Sequence, residues 1–254
     1  MPLKGGRLLP AGGRRRTCRE CGIDVSDSWV ETSAGMVFCP EHGRMPFCQT
    51  CSMPCVSTRY QHPIGQPLCD ACGTTVIKDR EQVRKAVPGI KQQLTRMSIT
   101  LPVPVRVELK TKEEVLRKLP SHAGGITLGL TAISIGPAGQ RSVLDIWIIA
   151  GLPYLEFGAT LAHEAGHAWA AQAGFPPLEP GLEEGWAELV AYGWLKQQGT
   201  DLAELLRERR RTRMDPVYGD GFRLVLRAAE QHGVNAVMTS LKTKGALPTA
   251  GRST

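Results

Sequence analysis

Apolar and polar positions change rhythm several times along this chain, and each change predicts an element. Val103, Val105, Val107 and Leu109 alternate with Pro104, Arg106 and Glu108, which predicts a strand over residues 101–109. The alternation returns at Ile126-Thr-Leu-Gly-Leu-Thr131 and slips phase at Ala132-Ile133, the pattern of a β-bulge. Gly136-Pro-Ala-Gly-Gln140 reads as a turn and residues 143–149 as a second strand, so a hairpin is expected here. Other stretches carry the helical period. Residues 76–97 read as helix, interrupted near Pro88-Gly89. Thr111-Lys-Glu-Glu114 is a capping box that opens a short helix ending near Leu119-Pro120. Leu161, Ala162, Ala165 and Ala168 to Ala171 sit in a helix that stops at Gly174, with Pro176-Pro177 beyond. A second helix covers about residues 181–195 and ends at Gly199. Asp201 is expected to cap a charged helix running to about Arg213. A Gly-punctuated loop spans 215–223, a helix runs to His232-Gly233, and a last helix covers roughly 235–244. Strands followed by segregated helices predict an α+β domain.

The first third of the chain has a different logic. Residues 1–17 are Gly, Arg and Pro without periodicity, and are expected to be a disordered basic tail. Then Cys18-x2-Cys21 is followed, after 17 intervening residues, by Cys39-x2-His42. The pattern repeats 30 residues later as Cys48-x2-Cys51, 17 intervening residues, and Cys69-x2-Cys72. Each half supplies the four ligands of a closed, tetrahedral structural zinc. Trp29, Val37, Phe38, Phe47, Ile64 and Leu68 make a small core, so metal binding is expected to supply much of the folding energy. Cys55 competes with Cys51 as a ligand on proximity, but the matched gap favours Cys51 and leaves Cys55 a spare thiol. The expected organisation is a tail over 1–17, a two-zinc module over 18–77 and the larger α+β domain over 78–254.

Composition narrows the setting. A chain of 254 residues with 42% hydrophobic and 22% charged residues is ordinary for a globular protein. No uninterrupted apolar run reaches the roughly 18 residues of a membrane span, and the N-terminal stretch has no apolar signal core. A cytoplasmic location follows as the expectation, with no membrane partner and with cysteines binding metal rather than pairing. The net charge of +7 hints at an acidic partner. However, Arg14 to Arg16 lie in the tail, the arginines of 207–213 are expected on a solvated helix face, and thiolates on zinc would lower the count. Few aromatics interleave with basic residues in the zinc module, so nucleic-acid binding ranks last.

The chemistry concentrates in His163-Glu164-Ala-Gly-His167. On a helix His163 and His167 are i and i+4, share one face and can grip one zinc ion. Glu164 is then placed to take a proton from a water on that zinc. A catalytic site needs a third protein ligand. Glu184 is the expected one, with Glu183 about 100° away on the same helix. Glu188, i+4 from Glu184, is expected to hold a ligand histidine in its tautomer. The hairpin could present a sheet edge to an extended peptide. Tyr218 and Arg223 are candidates for stabilising an oxyanion, and Tyr218 is preferred. The competing reading is a non-catalytic, zinc-scaffolded adaptor; a fourth protein ligand on the helix zinc, such as Glu188, would mark it.

Residues 146–195, with GLPYLEFGATLAHEAGHAWAAQAGFPPLEPGLEEGWAELVAYGWL inside them, resemble the peptidase domain of the plant LIM-domain growth regulators called DA-one. So do Pro216-Val-Tyr-Gly-Asp-Gly-Phe-Arg223 and the closing Gly-Ala-Leu-Pro248. The likeness covers roughly residues 79–248, and the two-zinc module is similar to the family's LIM segment. The resemblance implies a zincin-like, gluzincin-type fold and a latent zinc peptidase. It implies His163, His167 and Glu164 in their family roles, activation by ubiquitylation, and substrates in the ubiquitin pathway. Glu183-Glu184-Gly185 matches the family's E-E-G, and its register is similar to the N-E-G of gluzincin aminopeptidases, which favours Glu184. The implied cofactors are one catalytic and two structural zinc ions. Protein or peptide substrates, a protein partner of the LIM-like module, and ubiquitin are the implied partners. One departure stands out: Gly43 to Phe47 put five residues between the fourth and fifth ligands, where a LIM domain has two.

Overall fold

In the computed structural model the described residues are 16–25, 27–32, 35–101, 103–118, 127–137 and 141–249. Most of the expected basic tail, the helix end at Leu119-Pro120, Ile126 and the turn residues 138–140 lie outside them. Two compact units divide between Val76 and Ile77.

In the first unit the 30-residue repeat governs the backbone as well as the ligands. Strands β1 (Val30–Glu31) and β2 (Val37–Phe38) pair antiparallel and lead into α1 (Pro40–Gly43). Strands β3 (Tyr60–Gln61) and β4 (Pro67–Leu68) do the same ahead of α2 (Asp70–Gly73). The third ligand of each set, Cys39 or Cys69, sits at the helix N-cap. Phe38 and Leu68 are fully buried, and the Phe38 ring meets Phe47 at 5.4 Å between centroids. Arg16 and Thr17, expected in the disordered tail, already belong to this unit. Thr17 bridges to Asp24, and the Arg16 guanidinium lies 4.1 Å over the Trp29 ring.

The second unit begins where the short strand β5 (Val76–Ile77) ends. Helix α3 (Arg80–Arg96) buries Val83, Ala86, Ile90 and Leu94 along one stripe. It runs unbroken through Pro88, against the expected interruption. Pro88 and Arg84 are both on the exposed side, so the carbonyl that the proline cannot satisfy is left to water while the buried stripe holds the helix. The strand expected over 101–109 is shorter: β6 is Arg106–Lys110. Pro104 has no amide for a ladder and Val103 faces solvent. The capping box forms as read, opening α4 (Lys112–Leu116) with Thr111 and Glu114 in reciprocal hydrogen bonds.

The hairpin consists of β7 (Gly129–Ile135) and β8 (Arg141–Ile149), antiparallel, with the register shift between Ala132 and Ile133. Strand β6 joins β8 in parallel, so the sheet order is β6-β8-β7 and β7 is an edge. After β9 (Leu152–Pro153) come α5 (Tyr154–Gln172), α6 (Pro180–Gln198) and α7 (Asp201–Arg211). The N-cap of α7 is Thr200 rather than Asp201, its hydroxyl accepting from the Ala203 amide at 3.2 Å. The loop expected over 215–223 is a π-helical turn, Pro216–Asp220, that continues directly into α8 (Gly221–His232), followed by α9 (Val234–Lys244). Trp186, Trp194, Phe157, Phe222, Ile146 and Ile148 fill the core between sheet and helices. Among the described residues no helix is long and apolar enough to cross a membrane.

Candidate metal centre

Small residues bring α5 and α6 together, and the site lies where they do. Ala159, Ala162, Ala165 and Ala168 of α5 are essentially buried. A Cβ on Gly166 would lie 3.1 Å from Ala187 Cα of α6, so the backbones nearly touch there. The Trp186 indole closes the crossing by donating to the Gly166 carbonyl at 3.2 Å. Gly174 (φ +76°) and Gly199 (φ +63°) end the two helices in the left-handed region, as C-terminal glycines do.

That crossing sets three side chains on one point. His163 Nε2 and His167 Nε2 are 3.1 Å apart. Glu184 Oε2 lies 3.2 Å from the first and 3.6 Å from the second. This oxygen is buried and accepts no hydrogen bond. Two imidazole nitrogens and a carboxylate oxygen turned on one point, within ion-pair distance but without a well-formed hydrogen bond to the oxygen, are arranged as ligands around a cation would be. The donor set, two imidazoles and a carboxylate, fits a zinc ion. Burial opposes protonation of His163, yet Glu184 and the neighbouring carboxylates prevail and hold the imidazole at about 9. Burial raises Glu184, but the two imidazoles outweigh it and draw its pKa well below the usual carboxylate range. The two shifts run in opposite directions because imidazole and carboxylate attract each other across the same short gap.

The alternatives left by the sequence separate clearly. Glu183 turns away and accepts from Arg141 at 2.9 Å. Glu188 Oε1 lies 3.7 Å from Nδ1 of His163, the ring nitrogen facing away from the cluster, and Oε2 accepts from Arg210 Nε at 2.9 Å. It is therefore beside the histidine and outside the convergent group. Glu164 is buried on the α5 face toward β7, where Thr131 donates to it at 2.7 Å. Tyr218 lies on the same cleft, its ring 6.4 Å from that of His163 and near-parallel to it. Burial first, then Glu184, pushes the Tyr218 phenol up to about 12. Arg223 is not available as an oxyanion donor: it donates to the carbonyls of Arg211 and Arg213 and pairs with Asp220.

The cleft has a volume of about 320 Å³ and runs between β7 and these helices. Two of its walls escaped the sequence reading. The arginines expected on a solvated face include Arg210, bound to Glu188, and Arg213, whose guanidinium lies 4.4 Å over the Tyr218 ring. Both line the cleft. Thr131 and Gly129 were visible only as strand residues, because nothing in their spacing relates them to Glu164.

In the first unit the eight expected ligands fall into two groups. Cys18, Cys21, Cys39 and His42 offer ligand atoms within 4.8 Å of one another, as do Cys48, Cys51, Cys69 and Cys72. His42 Nδ1 is 3.2 Å from Cys39 Sγ and 3.6 Å from Cys18 Sγ. Cys51 Sγ is 3.5 Å from Cys69 Sγ. Cys55 is buried and outside the second group.

A mixed helix–strand chain with tandem cysteine and histidine clusters defines a metal-binding protein with a LIM-like zinc module. Its residues 76–208 match the DA1-like family, described as Protein DA1, and the chain belongs to that family. It is 25% identical to Protein DA1 of Arabidopsis thaliana over 87% of this chain and 52% of that protein. To Protein DA1-related 1 of the same plant it is 24% identical over 89% of this chain and 55% of the relative. To the LIM domain-containing protein HDR3 of Oryza sativa subsp. japonica it is 25% identical over 84% of this chain and 57% of the relative. The chain thus spans about half the length of these curated relatives. No solved structure gives a significant match.

Proposed function

We propose that this chain is a zinc-dependent peptidase of zincin-like, gluzincin-type fold that hydrolyses peptide bonds in protein substrates. The observation that carries the reading is the convergence of His163, His167 and the Glu184 carboxylate inside a cleft that also holds Glu164. When bound there, a zinc ion supplies Lewis acidity to water and to the scissile carbonyl. Glu164 removes a proton from the attacking water at its carboxylate and returns it to the leaving amine. Tyr218, its phenol held at about 12 and so protonated at neutral pH, donates to the developing oxyanion. Glu188 steadies His163 from the Nδ1 side and is itself fixed by Arg210. The edge of β7, unpaired among the described residues, would offer main-chain hydrogen bonds to an extended peptide, which positions a scissile carbonyl without reading side chains. Against the adaptor reading stands the ligand count: among the described residues three converge, and Glu188, engaged by Arg210, would not supply a fourth.

The LIM-like module would recruit a protein partner or restrain the cleft; activation by ubiquitylation and substrates among ubiquitin-pathway proteins rest on the resemblance alone. The test is cleavage of fluorescein-labelled casein by wild type and by Glu164→Gln, with zinc measured in both. Turnover lost in the variant at unchanged zinc content is the expected result. Equal cleavage by the two proteins, or none by either, would remove the peptidase reading and favour the adaptor.

A further inference from the structure

Glu164, the proposed general base, is 5% exposed, and its carboxylate lies against strand β7, Oε2 at Thr131 and Oε1 at Gly129. Thr131 Oγ1 lies 2.7 Å from Oε2 and 2.9 Å from the backbone carbonyl of Glu164. A hydroxyl has one proton to give, and the charged acceptor at the shorter distance makes the stronger bond. Oε2 is thereby occupied, and among the described residues no donor reaches Oε1.

Gly129 stands two residues earlier on the same face of the strand. Glycine weakens a strand interior and marks a close approach of backbone to something else. No positive φ requires it at this position. What a side chain there would meet is Glu164: a Cβ would lie 2.8 Å from Oε1, 3.0 Å from Cγ and 2.8 Å from Thr160 Cγ2. One oxygen is therefore held by a hydrogen bond and the other is given room by a missing side chain.

We propose that β7 is the cradle of the general base, with Thr131 the positioning residue that fixes the Glu164 carboxylate and Gly129 the gap that admits it. This rests on the peptidase reading. It also assigns the reacting oxygen: Oε1 takes the proton, because Oε2 is already accepting one hydrogen bond. The strand whose free edge would align a peptide thus also sets the base, so substrate register and base position share one rigid element.

Thr131→Val removes the hydroxyl at nearly constant shape, and Thr131→Ser keeps it. The valine variant is expected to lose about 10- to 100-fold in kcat on labelled casein, the range for a lost partner of a site residue. KM and zinc content should stay unchanged, and the serine variant should recover most of the rate. Gly129→Ala, which adds a methyl against Oε1, should also lower kcat with zinc retained. Crystal structures of the zinc-loaded valine and serine variants supply a readout independent of turnover. The carboxylate should leave its place in the first and keep it in the second. A valine variant with wild-type kcat, or with Glu164 unmoved, overturns the proposal. Should wild type cleave no better than Glu164→Gln, the peptidase reading falls instead, and the crystallographic comparison alone decides whether β7 holds the carboxylate.

Discussion

Glu183 and Glu184 are adjacent on α6, and about 100° of helix rotation sends them to different chemistry. Glu183 is spent on Arg141 at 2.9 Å, while Glu184 Oε2 faces the two imidazoles at 3.2 and 3.6 Å. The two should therefore respond differently to alanine. Glu184→Ala is expected to lose the zinc of the helix cluster and leave the module's two sets loaded, a fall from three ions per chain to two by elemental analysis. Glu183→Ala should keep all three. Tyr218 tests the chemistry next to them. Tyr218→Phe removes the phenol and keeps the ring beside His163, so kcat on labelled casein should fall by about 10²- to 10³-fold, the usual cost of one oxyanion donor. Zinc content and melting temperature should not move. A variant with wild-type kcat would take Tyr218 out of the mechanism.

At the scale of elements, small residues decide how closely α5, α6 and α8 approach. Gly185 of α6 lies against the start of α8, where a Cβ would come 2.4 Å from the Gly221 carbonyl oxygen, a backbone atom that cannot turn aside. Gly185→Ala should cost about 1–3 kcal/mol of stability, as overpacking does. Gly89→Ala is the matched control: it lies on the exposed side of α3 with nothing within 4 Å of the new methyl. That change should stabilise by about 0.5–1 kcal/mol through helix propensity and a less disordered unfolded chain. Thermal denaturation of the two variants should shift in opposite directions, and a common sign would sink this account of the packing. These elements differ in how readable they were. Helix ends at Gly199 and Gly174, the Thr111 capping box and the bulge at Ala132-Ile133 follow from local chemistry, and local sequence contains that. The passage of α3 through Pro88 depends on four buried side chains gripping a core assembled from distant segments. The hold of Thr131 on Glu164 joins residues 33 positions apart, and no period in the sequence links them. Arg210 of α7 and Arg213 just beyond its end read as solvent-facing because their partners, Glu188 and Tyr218, arrive from other elements.

For the molecule as a whole, the two units owe their stability to different forces. The second packs several fully buried aromatic and aliphatic side chains, among them Trp186, Trp194, Phe157 and Phe222, into one continuous core. The first has Phe38 and Leu68 fully buried, two-residue strands and four-residue helices. Elements so short bury too little apolar area to offset the entropy of ordering the chain. What remains is metal binding, which in small zinc modules amounts to about 10–16 kcal/mol of folding free energy. A strong chelator should therefore act selectively. Hydrogen exchange of backbone amides in residues 16–75 should lose protection once zinc is withdrawn, whereas those of α5 and α6 should stay protected and melt cooperatively. Cys55→Ala, outside both four-ligand groups, should leave zinc content and this pattern unchanged. Replacing Cys48, which lies inside the second group, should reproduce the chelator's effect on that half of the repeat without any chelator present. If α5 and α6 instead lost protection together with the module, the hydrophobic core of the second unit would not suffice to fold it, and zinc at His163, His167 and Glu184 would have to be counted among the forces that hold the helices.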